Sequence, residues 1–175
     1  MTESLDRSFG LTIAFLLPGF VCLCGFSNFS PTLAAWMSSE PSRDPSVSGF
    51  LYVVMGSLAA GLTVSAVRWA IIDQIHHATG LSLPDFNFSR LTEHLLAFQL
   101  AVEHNYRYFQ FYANMAVALV VFGVCHQAAL GLWSWLGWLG FFGLESVLIA
   151  ASRDSLGRFY SRVALVLGTR DELVE

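Results

Sequence analysis

Tyr108 to Leu144 reads YFQFYANMAVALVVFGVCHQAALGLWSWLGWLGFFGL, and no Asp, Glu, Lys or Arg occurs in it. A helix rising 1.5 Å per residue crosses a hydrocarbon core of about 30 Å in roughly 20 residues, so this stretch is too long for one span and right for two. His126, Gln127 and Gly131 supply polar and flexible positions near its middle, and a tight turn is expected over Gln127–Gly131. In lipid every backbone amide must be bonded internally. Barrel strands would alternate over about ten residues, which this stretch does not do, so two helices are predicted.

Working outward, Phe9–Asn28 carries no charge, Gly49–Val67 none before Arg68, and Leu132–Ala151 only Glu145. The reading is an all-α integral membrane protein with four transmembrane helices, at about residues 9–28, 49–70, 108–125 and 132–151. Composition agrees. Of 175 residues 55% are hydrophobic and 13% charged, against roughly 25% charged in a soluble domain, which argues against a soluble enzyme. A net charge of -4 on so apolar a chain excludes disorder. Lysine is absent and the sequence pI is about 5.7, so no direct nucleic-acid partner is expected.

Near the N-terminus Glu3 and Asp6 oppose Arg7, and Pro18-Gly19 interrupts the apolar run without a small-x-small cleavage site, so a retained helix is expected rather than a cleaved signal. Four spans place Arg7, Arg68, Arg90, Arg107, Arg153, Arg158, Arg162 and Arg170 on one side and Arg43 alone on the other. The positive-inside rule then makes both termini cytoplasmic. Trp133 and Trp135 open the fourth span at one interface and Trp69 closes the second at the other, as an aromatic belt predicts. Short loops and the exclusive use of arginine suggest a bacterial inner membrane.

The connection 73–107 is expected to form a cytoplasmic helical projection. After Gly80 and Pro84, Ser89 stands as an N-cap, and no proline or glycine follows from Arg90 until Gly123, which predicts one long helix continuous with the third span. Leu91, Leu95, Phe98, Val102 and Tyr106 recur at spacings of three and four and form an apolar stripe, with Glu93, Glu103, His104 and Arg107 facing away. A partner is expected to cover that stripe: the Leu81–Phe88 loop, the C-terminal segment, another subunit or a cytoplasmic protein. The tail 153–175 is amphipathic over Ser155–Leu167, and is expected either along the lipid interface or docked on the long helix.

Three groups of residues are candidates for function. Glu145 is the only formal charge within an apolar span, and with Arg68 and Asn114 it is expected to form a polar layer, read as a structural ion pair, an ion or proton relay, or a lone protonated carboxyl. Gly56, Ala60 and Gly61 on the second span, and Gly137, Gly140 and Gly143 on the fourth, place small side chains at helical spacings that let backbones approach, within one chain or between copies. Glu93-His94 and Glu103-His104 invite a metal reading. Ten residues of helix separate the two pairs by about 15 Å and turn them apart, so no metal or other cofactor is expected. Cys22, Cys24 and Cys125 are expected to be free buried thiols.

These readings converge on a non-enzymatic, homo-oligomeric membrane protein whose cytoplasmic helix engages a partner or signal, as an effector or anchor subunit of a bacterial system such as an anti-phage one. The rival is a small channel or transporter centred on Glu145. A metal-dependent membrane enzyme using Glu93, His94, Glu103 and His104 comes third.

Overall fold

The computed structural model describes residues 2–37, 47–131 and 133–168, with side chains over those ranges apart from 2–12, 103 and 104. Arg43, Pro41, Pro45, Leu132 and the segment from Thr169 to Glu175 lie outside the described residues. Among the described residues the regular structure is helical: α1 Thr2–Phe26, α2 Pro31–Met37, α3 Val47–Ala78, a 3₁₀ turn Phe88–Arg90, α4 Leu95–Ala101, a π turn Val102–Tyr106, α5 Arg107–Leu130 and α6 Trp135–Leu167. Three of them, α3, α5 and α6, are long and apolar enough to cross a membrane; the apolar part of α1, Ile13–Phe26, is shorter.

Local chemistry ends these helices where it can be seen to act. Gly80 takes a left-handed conformation (φ 93°) after α3, its N–H bonding the His77 carbonyl and that of Leu81 the His76 carbonyl, a Schellman stop. Gly131 (φ 59°) ends α5 by bonding the Gln127 carbonyl, so the helix runs on through Gln127 to Leu130 and the break falls at Gly131, the last residue of the expected turn, and not over Gln127–Gly131. Ser134 then caps α6, its Oγ accepting from the Gly137 N–H at 3.3 Å.

Residue levels give the packing. Ala14, Cys22 and Gly25 of α1 lie beside Asn114, Ala118 and Phe122 of α5, so these two helices run in parallel. Phe15 and Gly19 meet Gly61 and Ser57, so α3 runs against α1. His76 lies beside Ser152 and His77 beside Tyr160, and α6 starts at the end of the bundle where α5 stops, so α6 runs with α3. The result is an up-down-up-down bundle, and its outside is oily. Phe50, Leu51, Met55, Leu62 and Trp69 of α3 and Trp135, Leu136, Leu139, Phe142 and Val147 of α6 are exposed. Water does not tolerate an apolar surface this extensive, whereas lipid does.

Two expectations about the connection and tail need correction. The helix does not start at Arg90. Asn87 Oδ1 accepts from both the N–H and Oγ of Ser89, which fixes a 3₁₀ turn there; α4 begins at Leu95, and His94 at its cap makes no side-chain bond. Nor is the α4–α5 helix regular, since the π turn intervenes; within it Asn105 Nδ2 donates to the Ala101 carbonyl at 3.2 Å. The tail, up to Leu167, is no separate helix but the second half of α6. Its buried Val163 and Leu167 pack with Phe86 and Ala101.

Candidate functional site

The expected polar layer comes apart into three separate arrangements. Asn114 is fully buried and its Nδ2 donates at 3.1 Å to the carbonyl of Ala14. Pro18 is the reason that carbonyl is free. In a regular helix the Ala14 oxygen would accept from the residue-18 N–H, which proline lacks. Asn114 therefore fills the gap that Pro18 opens in α1, the way a neighbouring helix makes an intramembrane proline tolerable.

Arg68 is also buried, but its partners lie elsewhere. Its guanidinium sits 4.9 Å from the centre of the Phe109 ring, and Nη2 is 3.8 Å from Asp73 Oδ2 on its own helix. Arg68 Nε and Nη1 and Asp73 Oδ1 have no hydrogen-bond partner. Glu145 shares an α6 face with Leu148, Ser152, Leu156 and Val163, all buried, and so points inward. Its Oε1 is out of reach of solvent and has no hydrogen-bond partner, and it is joined to neither Arg68 nor Asn114 among the described residues.

A polar clasp that the sequence did not reveal ties α3 to α6 near the Gly80 stop. Ser152 Oγ donates to the Ile149 carbonyl at 2.9 Å, so it accepts from His76 Nε2–H at 2.9 Å, which assigns the proton of neutral His76 to Nε2. His77 Nε2 is 3.4 Å from Tyr160 Oη. Arg153 donates from Nη2 to the Thr79 carbonyl at 2.8 Å and from Nη1 to Thr79 Oγ1. The only sequence signal was two histidines and a threonine ahead of a glycine. Replacing Arg153 by glutamine should cost about 1 kcal/mol, these bonds being exposed. Hydrogen exchange over residues 75–81 should quicken; an unchanged rate would show that Arg153 does not hold this end.

The two small-residue stripes have different fates. A methyl group built on Gly61 would land in the carbonyl of Phe15, one on Gly19 in the carbonyl of Ser57, and one on Gly56 would stand 3.3 Å from Leu23 Cδ1, so the α3 stripe, with half-buried Ala60 among its neighbours, is spent against α1. On α6, nothing lies within 4 Å of a Cβ built on Gly140 or Gly143, and Gly137 meets only its neighbours Trp133 and Ser134. The α6 stripe is open.

The apolar stripe on the projection is covered in part by its own chain. Leu91 and Phe98 pack on the Phe86, Val163 and Leu167 cluster, and Tyr106 lies 5.1 Å from the Phe159 ring. Leu95 and its neighbours Leu96 and Leu100 stay exposed, as does Glu93, while Val102 and Arg107 are half-buried. The side chains of Glu103 and His104 are outside the described set. Among the described residues no three His, Cys, Asp or Glu side chains converge as metal ligands, and Cys22, Cys24 and Cys125 are free thiols. The chain matches no protein-family model, no curated protein and no solved structure.

Proposed function

We propose that the chain is a four-span, homo-oligomeric inner-membrane protein with both termini in the cytoplasm, and that it acts without catalysis through the helical pair formed by α4 and the end of α6. One observation carries this reading. Leu96, Leu100 and Leu165 are 74%, 56% and 87% exposed, and a groove of about 430 Å³ between Leu100, Ala101, Leu165 and Val166 opens beside them. These residues lie beyond the part of α6 that a bilayer would cover, because its 33 residues at 1.5 Å each run to about 50 Å against 30 Å of hydrocarbon. Leucines left bare there want a protein partner, another copy or a cytoplasmic chain. The parallel course of α1 and α5 supports four spans, since it brings the start of α1, the end of α6 and the 73–107 connection to one end of the bundle. The open Gly140–Gly143 stripe supports assembly of copies.

Photo-crosslinking groups placed at Leu96 and Leu165 should yield one discrete protein adduct in membranes, and the adduct should vanish when Leu100 is replaced by glutamate. Adducts to lipid alone would remove the reading. Reporter fusions that put Met1 and Glu175 on opposite sides would remove the four-span arrangement.

A second reading, a small channel or transporter, draws on Glu145 alone: an inward carboxyl with an unpartnered oxygen in an apolar span. It predicts that Glu145→Gln abolishes ion or proton flux in proteoliposomes while Leu100→Glu is tolerated. The partner reading predicts the reverse pattern of sensitivity.

A further inference from the structure

We propose that the cleft between the outer face of α6 and the loop after α3 binds a phosphate oxyanion, presented by the headgroup of an anionic lipid. The cleft has a volume of about 610 Å³, within the range of small-ligand sites. Arg153, Arg158 and Arg162 line it together with one acid, Asp154. Asp154 is taken by Arg158, whose Nη2 stands 2.9 Å from its Oδ2, and Arg162 has no acidic partner among the described residues. Three arginines less one aspartate leave two positive charges over the cavity.

The site is partly built before any ligand arrives. Thr79 holds the Arg153 guanidinium by its carbonyl and hydroxyl, so one fork is already oriented. Planar guanidinium groups bond phosphate oxygens in pairs and suit a tetrahedral anion better than a point charge would. Gly157 leaves the floor open, with nothing within 4 Å of a Cβ built there. Ser161 does not compete as a donor, because its hydroxyl is given to the Gly157 carbonyl at 3.0 Å. At the end nearer the apolar spans the wall becomes Leu81 and Ala150, which suits the glycerol and first methylenes of a lipid. Arg158 lies about 7.5 Å along the helix from Arg153, close to the roughly 5–8 Å depth of one headgroup layer. The proposal rests on the reading that α6 leaves the bilayer near Arg153.

The test uses the full-length protein in nanodiscs of phosphatidylcholine alone and of phosphatidylcholine with phosphatidylglycerol, with native mass spectrometry counting the lipid that each protein retains. Wild type should retain phosphatidylglycerol preferentially. Arg158→Gln with Arg162→Gln should weaken this about thirtyfold, the factor for two charges near an anionic surface. Asp154→Asn should tighten it about fivefold, a gain that damage to the fold cannot mimic. Gly157→Leu should block retention with no change of charge. Inorganic phosphate in the buffer separates the sources: if lipid stays bound the headgroup is the ligand, and if phosphate displaces it from wild type the same cleft takes the free anion. Equal retention by wild type, the double variant and Asp154→Asn would overturn the proposal. Failure of the membrane reading would look different, as a protein that never enters the nanodisc.

Discussion

Replacing Gly61 by alanine is expected to force α1 and α3 apart, at a cost at or above about 3 kcal/mol, the upper part of the usual range for overpacking. The two helices cross with their backbones touching. A Cβ on Gly61 meets the carbonyl, Cα and carbonyl carbon of Phe15, and one on Gly19 meets the carbonyl of Ser57 and the amide of Gly61. These are main-chain atoms of regular helices, so no rotamer change relieves the collision and one helix must move as a body. In lipid such close approach is a principal source of helix association, because burying apolar side chains gains little there. Gly140→Ala and Gly143→Ala make the matched comparison. Nothing stands near either position, so each should leave the fold between unchanged and about 1 kcal/mol more stable by helix propensity. If they act at all, they should act on assembly. Thermal unfolding in detergent with size analysis of the oligomer separates the outcomes, and equal melting of Gly61→Ala and Gly143→Ala would refute the assignment of the close contact to α3.

The second large effect belongs to Asn114. Asn114→Leu should cost about 1–2 kcal/mol in the native background, because it leaves the Ala14 carbonyl buried with no donor. The same substitution made on Pro18→Ala should cost almost nothing, since alanine restores the N–H that Ala14 needs and the amide of Asn114 is no longer wanted. The prediction is therefore a coupling between positions on α1 and α5 about as large as the single penalty, measured as a double-mutant cycle on unfolding. Equal penalties in both backgrounds would mean that Asn114 does something other than mend the proline gap. Pro18 is itself almost wholly buried.

Much of the bundle was legible in the chain because helix length and helix stops are local matters. The uncharged run from Tyr108 to Leu144 breaks at Gly131 because only that residue type accepts a left-handed backbone cheaply, and α3 ends at Gly80 for the same reason. The inward face of Glu145 also follows from spacing, since it repeats with Leu148, Ser152 and Leu156. The start of α4 was misread because Ser89 and Asn87 compete as caps, and the contest is decided by a hydrogen bond between them. The clasp of His76, Thr79, Ser152 and Arg153 was invisible, because no periodicity announces a polar contact between residues 74 positions apart.

Sequence alone determined that this protein is helical and apolar enough for hydrocarbon: too few charges for water, and apolar runs whose lengths match membrane helices. It could not rank the two small-residue stripes or say which carbonyl Asn114 would serve. Those outcomes depend on which helix lies alongside which, and only the tertiary packing brings Gly19 onto Gly61, Asn114 onto the gap left by Pro18, and Arg153 onto Thr79 while leaving Gly140 and Gly143 bare. The physical reason is that a helix face advertises what it can bury, whereas backbone contact and an orphaned carbonyl exist only once a second helix has arrived.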